Sequence, residues 1–174
     1  LELGIICDDN YSNGNIIKLE KNFEKYFDEF DVLLIPGFIG KTNSQEIITL
    51  GRGNADLSAV VYAHICKINR VFLYKNVEGV FHTAPDVYKK LDKYDYLSFE
   101  QMILLNDIGF GIVSKSALKY AKDNNIEILI KCFENNSTGT IISKKEKNDI
   151  FLGFNIIDKC VKVASFKIIE VSNK

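Results

Sequence analysis

Two strings carry most of what this chain reveals about its fold. They are Ile35-Pro36-Gly37-Phe38-Ile39-Gly40-Lys41-Thr42 and Ile48-Thr49-Leu50-Gly51-Arg52-Gly53-Asn54-Ala55-Asp56-Leu57-Ser58-Ala59. Ahead of the first stands the apolar run Val32-Leu33-Leu34-Ile35, closed by Pro36-Gly37. A run so short and so apolar predicts a strand buried on both faces. After the second, Leu57, Val60, Val61, His64 and Ile65 recur at helical spacing. Asn54 is placed to cap that helix, and Asp56 suits its positive end.

Working outward, Leu1–Cys7 reads as a short strand, and Leu19–Phe30 reads as a helix with Leu19, Phe23, Tyr26, Phe27 and Phe30 on one face. Those aromatics are expected in the core or in dimer contacts. Val71–Tyr74 is a strand and Val77–Phe81 a second extended piece. Tyr88–Tyr96 reads as solvated surface. Ser98-Phe99-Glu100-Gln101 has capping-box form before Met102–Leu105, and Ser114 can cap a further helix through Ala117, Leu118 and Ala121. Ile126–Ile130 and Thr140–Ile142 are strands on either side of the turn Asn135–Gly139. The charged run Lys144–Asp149 reads as a linker, and Ile150–Phe154 and Val161–Val171 as two more strands. Alternating strands and helices over residues 1–142 predict an α/β domain with a mainly parallel sheet.

Composition excludes several classes. The 174 residues carry 22 Lys and Arg against 23 Asp and Glu, a net charge of -1. That balance argues against a nucleic-acid or polybasic membrane surface. No apolar run approaches the roughly 20 residues that span a bilayer, and no signal-peptide pattern opens the chain. A cytoplasmic protein is expected. Cys7, Cys66, Cys132 and Cys160 sit apart in apolar stretches without C-x-x-C spacing, so buried free thiols are expected, not disulfides or zinc. His64 and His82 form no metal-ligand cluster. His64 is expected in a hydrogen-bonded core or interface position and His82 at the surface. Lys41 reads as a solvated charge beside the first glycine loop, with a phosphate contact as the alternative.

Glycines let a backbone come close to a ligand, and a helix start after them favours an anion. Arg52 adds a guanidinium able to grip a carboxylate. Taken alone, a plain turn is the default reading of Gly51–Gly53, with an anion site as the alternative. There is neither a Walker A pattern nor G-x-G-x-x-G.

In order and spacing, the two strings resemble the aspartate kinases of the amino-acid kinase family. These show a G-F-I-G-type loop and then T-T-L-G-R-G-G-S-D-x-[ST]-A opening a helix. Arg70–Val80, Leu97–Gly109 and Ile126–Ile142 match three further segments in the same order. The resemblance covers roughly residues 1–142. It implies an αβα sandwich around a mainly parallel sheet, truncated at its N-terminal side and followed by a short β tail. Residues 1–143 would be a partial kinase domain, 144–149 a linker, and 150–174 the start of an ACT-type regulatory domain. The family's K-[FY]-G-G-[TS] strand, which carries the catalytic lysine, has no counterpart here, and the pattern is entered near Gly4–Asp8.

The activity implied is transfer of the γ-phosphoryl of ATP, with magnesium, to the side-chain carboxylate of L-aspartate, on the way to lysine, threonine and methionine. By resemblance Arg52 holds the substrate's carboxylate with Gly51 and Gly53. Gly37 and Gly40 lie near the reacting groups, and Asp56 orients the catalytic lysine. Lys75–Asp86 wraps the nucleotide, with Lys75, Asn76, Phe81, Asp86 and Gly111 at nucleotide positions. No protein metal ligands are implied. Several positions depart from the pattern. Ala55 replaces a serine, Lys75-Asn76 a Thr-Asp pair, Phe81 a tyrosine, Asp86 an arginine and Gly111 a lysine. An aspartate beside a polyphosphate repels it, so weakened nucleotide binding is implied. The alternative is an inactive family member that binds an amino acid or a partner subunit. Pairing through the C-terminal strands, as a homo-oligomer or with another subunit, is expected from apolar strands with no helix to cover them.

Overall fold

The computed structural model describes residues 4–20, 24–82, 92–134, 137–145, 151–157 and 160–165. The elements are β1 (Ile5–Cys7), β2 (Ile16–Leu19), α1 (Glu24–Phe27), β3 (Ile39–Lys41), β4 (Ile47–Thr49), α2 (Ala55–Ile65) and β5 (Arg70–Lys75). They continue with β6 (Tyr96–Ser98), α3 (Phe99–Asp107), α4 (Lys115–Asp123), β7 (Glu127–Cys132), β8 (Thr140–Ser143), β9 (Phe151–Ile157) and β10 (Cys160–Ser165). They fall into two compact units, Leu1–Val71 with Ser114–Ile126, and Phe72–Val113 with Glu127–Lys174.

The first unit is a four-stranded sheet, order β2-β1-β3-β4, with helices α2 and α4. Ile5, Ile48 and Leu50 from the sheet side and Val60, Val61, Leu118 and Ala121 from the helices are buried. The second unit holds the sheet β5-β7-β8-β6, helix α3 and the two-stranded β9–β10 pair. Its core is Leu97, Phe99, Met102, Leu105, Ile128, Ile130 and Ile142.

The α/β class holds, but the mainly parallel sheet does not. Two mixed sheets replace it. β1 with β3 and β6 with β8 run parallel, while β1–β2, β3–β4, β7–β8 and β9–β10 run antiparallel. Of the expected helix over Leu19–Phe30, the described residues show α1, Glu24–Phe27. The start of that stretch is taken by β2, which pairs with β1 through Ile5↔Leu19 and Ile6↔Lys18. Phe27 and Phe30 are exposed and not in a core; Phe23 lies outside the described residues.

Val32–Ile35 is not a strand. Val32 is 82% and Leu34 98% exposed, because a strand needs a ladder partner and the described pairing begins only at Ile39. Val77–Phe81 is a turn leading to one antiparallel bridge, Phe81↔Lys93. In the expected surface run, Tyr94 is 6% exposed and Tyr96 opens β6.

Elsewhere local chemistry decides. Ser98 and Gln101 form the capping box from both directions, with bonds of 3.1 and 2.8 Å. The Ser114 hydroxyl accepts from Ala117 N–H and caps α4. β9 and β10 form as strands.

Cys7, Cys66 and Cys132 are free thiols, Cys7 and Cys132 buried and Cys66 partly so. Burial first, and then the Asp8 charge, pushes the Cys7 thiol up from its ordinary 9.0 to about 11. A raised folded-state pKa favours the neutral thiol in the native state. That stabilisation is complete below about pH 9 and is lost as pH rises through 11, roughly 2–3 kcal/mol at most. Burial pushes Tyr62 and Tyr120 the same way. Unfolding free energy is therefore expected to fall between pH 9 and 11 in urea titrations. Cys7→Ala should flatten part of that fall, and an unchanged slope in the variant would exclude Cys7 as a cause.

Candidate functional site

An antiparallel hairpin puts the entry to one strand beside the exit from the other. β3 and β4 pair as Ile39↔Thr49, Gly40↔Ile48 and Lys41↔Ile47. The residues before β3, Gly37-Phe38, and those after β4, Leu50–Gly53, therefore share one end of the hairpin. The N-terminal turn of α2 follows directly. This juxtaposition unites the two glycine loops that the sequence shows only as successive strings.

Each loop is held by particular bonds. Phe38 has φ 73°, a left-handed conformation unusual for a bulky residue. Its N–H donates to Ser58 Oγ at 3.0 Å, and its carbonyl accepts from Leu50 N–H at 2.9 Å. Ser58, buried in α2, donates in turn to Ala55 O at 2.7 Å. Gly37 lies against the same hydroxyl, since a Cβ there would stand 3.1 Å from Ser58 Oγ. Gly40 lies inside the sheet, where a Cβ would come within 2.8 Å of Cys7 Sγ and 3.1 Å of Ile5 O.

Gly51 (φ 88°) and Gly53 (φ 77°) both need the left-handed region. Between them Arg52 is exposed at the tip of a turn closed by Asn54 N–H to Gly51 O. Asn54 does not cap α2 with its side chain. Instead its amide nitrogen donates to Leu50 O and its amide oxygen accepts from Ser116 Oγ. Asp56 Oδ2 accepts from Ser114 N–H at 3.3 Å, so its carboxylate also faces the start of α4. Lys41 is buried, not solvated, with its ammonium 3.2 Å from the Glu20 carboxylate. His64, on the exposed side of α2, bonds Tyr120 Oη at 2.9 Å.

The positions assigned to a nucleotide lie in the second unit. Lys75 ends β5, Asn76 is exposed in the following turn and Phe81 makes the bridge to Lys93. Gly111 is exposed in the loop after α3, with open space around it. Asp86 lies outside the described residues. The structure thus brings Lys75, Asn76 and Phe81 to one turn and leaves Gly111 on a separate loop.

Around that turn is a polar network the sequence reading missed. Val80 N–H donates to Thr140 Oγ1, which donates to Tyr94 O, and Lys93 Nζ donates to Gly139 O and to Thr138 Oγ1. Tyr94 Oη bonds His82 Nδ1, so His82 is half-buried and not a surface group. The available signal is the run Thr138-Gly139-Thr140, whose first two residues read as a turn and whose third reads as the start of a strand. Among the described residues no three His, Cys, Asp or Glu side chains form a group able to hold a metal. No described helix is long and apolar enough to cross a membrane.

A family model described as the amino acid kinase family matches residues 6–132. An aspartokinase of Bacillus sp. (strain MGA3) is 30% identical over 169 residues, covering 95% of this chain and 41% of the relative. Aspartokinase 2 of Bacillus subtilis (strain 168) is 28% identical, with the same 95% and 41% coverage. The chain therefore spans about two fifths of the length of these curated relatives. Among solved structures, E. coli aspartokinase III in complex with aspartate and ADP superposes with a TM-score of 0.77 at 20% identity. That match covers 87% of this chain and 36% of the other, and it shows a shared fold.

Proposed function

The chain belongs to the amino acid kinase family, and from that premise we propose that it is aspartokinase-like and contributes the aspartate-binding side of the reaction. In this reading ATP, with magnesium, phosphorylates the side-chain carboxylate of L-aspartate. One observation carries the proposal. The hairpin, the Phe38–Ser58 bond and the two left-handed glycines set both glycine loops and Arg52 at the start of α2.

There Arg52 would pair with a substrate carboxylate, and the backbone of Gly51 and Gly53 would line it. Gly37 and Gly40 would flank the reacting carboxylate, and Asp56 would orient a lysine. Lys75, Asn76, Phe81, Asp86 and Gly111 would face the nucleotide. In this reading the chain's own part is positioning and charge.

We further propose residues 1–143 as the kinase part, 144–149 as a linker and 150–174 as the opening of an ACT-type domain. The β9–β10 pair would join the rest of such a domain or another subunit, in a cytoplasmic protein. A second reading is an inactive family member that binds an amino acid or a partner subunit. Lys75-Asn76 in place of Thr-Asp, and an alanine at Ala55, favour it.

Calorimetric titration with L-aspartate tests the first reading, and hydroxylamine trapping of aspartyl phosphate separates it from the second. Arg52→Ala is expected to weaken aspartate about 10–100-fold, the loss of a charged hydrogen bond worth roughly 1.5–3 kcal/mol. An unchanged affinity would remove Arg52 from this role. Trapped phosphate from this chain with ATP would exclude the inactive reading.

A further inference from the structure

Ser58 lies in the longer of the two strings, yet no part of the proposed chemistry uses it. We infer that Ser58 is a positioning residue for the aspartate site: its hydroxyl holds the Gly37–Gly40 loop in register with the Gly51–Gly53 loop. The inference rests on the aspartate-binding reading above and adds to it a residue that touches no substrate.

A serine hydroxyl inside a helix ordinarily bonds back to a carbonyl one turn earlier and needs nothing else. Ser58 makes that bond, to Ala55 O at 2.7 Å, and so fixes its proton. The oxygen's lone pair then faces outward from the helix and accepts from Phe38 N–H at 3.0 Å. Ser58 is 0% exposed, so water cannot replace it in either bond.

Phe38 makes this bond consequential. Its φ of 73° is disfavoured for a phenylalanine, and a residue stays in such a conformation only when its surroundings over-determine it. The two peptide groups of Phe38 are gripped from opposite sides, the N–H by Ser58 and the C=O by Leu50 N–H. Leu50 directly precedes Gly51. The carbonyl of Leu50 accepts in turn from Asn54 Nδ2. One hydroxyl therefore ties the first loop to α2 at the point where the second loop enters that helix. Gly37 leaves room for it, because a Cβ there would press on Ser58 Oγ at 3.1 Å. Without the hydroxyl, Phe38 can relax toward negative φ, and the N–H groups on either side of it turn away from their present directions.

The test compares the full chain with Ser58→Ala and Ser58→Thr, the second of which keeps a hydroxyl. Three quantities are measured: L-aspartate affinity by calorimetry, hydrogen exchange at the Phe38 amide, and thermal midpoint. In Ser58→Ala, aspartate binding is expected to weaken about three- to tenfold and the Phe38 amide to lose its protection. Ser58→Thr should restore both. A purely structural serine would lower the midpoint and leave affinity unchanged, and that result overturns the inference. So does a Phe38 amide that exchanges at the same rate in wild type and Ser58→Ala. If Ser58→Ala does not fold, Ser58→Cys takes its place, since a thiol offers only a weak acceptor. Wild-type chain that fails to bind aspartate overturns the site reading itself, and the Phe38 exchange contrast separately decides the hydrogen bond.

Discussion

Gly139→Ala is expected to cost about 3 kcal/mol or more, in a protein whose whole margin is about 5–15 kcal/mol. Two independent strains add. Gly139 has φ 78°, and an L-residue pays about 1–2 kcal/mol for the left-handed region. A Cβ would also stand 2.1 Å from Ile130 O, a backbone atom that cannot swing aside. Ile130 pairs with Thr140 at the end of the β7–β8 ladder, so relief requires moving one strand against the other. Thr140 resists that movement, because it accepts from Val80 N–H and donates to Tyr94 O. Gly53→Ala is the control. Its φ is 77°, but nothing lies within 4 Å of its Cβ position, so only the backbone strain of about 1–2 kcal/mol applies. Urea unfolding of both variants decides the matter. Equal losses would mean that the contact with Ile130 relaxes freely.

Phe99→Ala should cost a similar or larger amount, about 3–5 kcal/mol. Phe99 is 1% exposed and is the first residue of α3, directly after the capping serine. The capping box sets the first turn of α3, so the ring's starting position is fixed by backbone bonds, and the neighbouring core cannot collapse into the space it leaves. Met102 and Leu105, on the same face of α3, are 0% exposed. Phe133→Ala provides the comparison, since Phe133 is 84% exposed and a surface truncation stays within about 0.5 kcal/mol. A loss at Phe99 no greater than at Phe133 would show that α3 does not anchor this core.

What could be read from sequence was whatever a few neighbouring residues settle among themselves. The Ser98–Gln101 box and the Ser114 cap are local events, and each forms as its residues dictate; Gly51, Gly53 and Gly139 read as loop or turn residues, and the structure adds that each is left-handed. Helix α2 is local in the same sense, although Asn54 spends its side chain on Leu50 and Ser116 and not on a cap. The failures share a cause. Val32–Ile35 has the composition of a buried strand, but burial and ladder bonds come from a partner, and composition does not name one. Leu19 satisfied a helical period, yet Leu19, Lys18 and Ile16 pair with β1.

The candidate site divides along the same line. The sequence alone determined its ingredients: the glycines, Arg52 between them, and a helix start with Asp56 after them. It also determined the departures at Ala55, Lys75, Asn76, Phe81, Asp86 and Gly111, because these are identities. Only the tertiary structure decided that β3 and β4 form a hairpin and so bring the two loops to one end. It alone decided that Lys41 is buried against Glu20, that Tyr94 is buried beside His82, and that Ser58 reaches Phe38 across 20 residues. The physical reason is range. Caps and turns are set within about four residues, whereas strand pairing and buried polar bonds are chosen by which distant segments fold against each other.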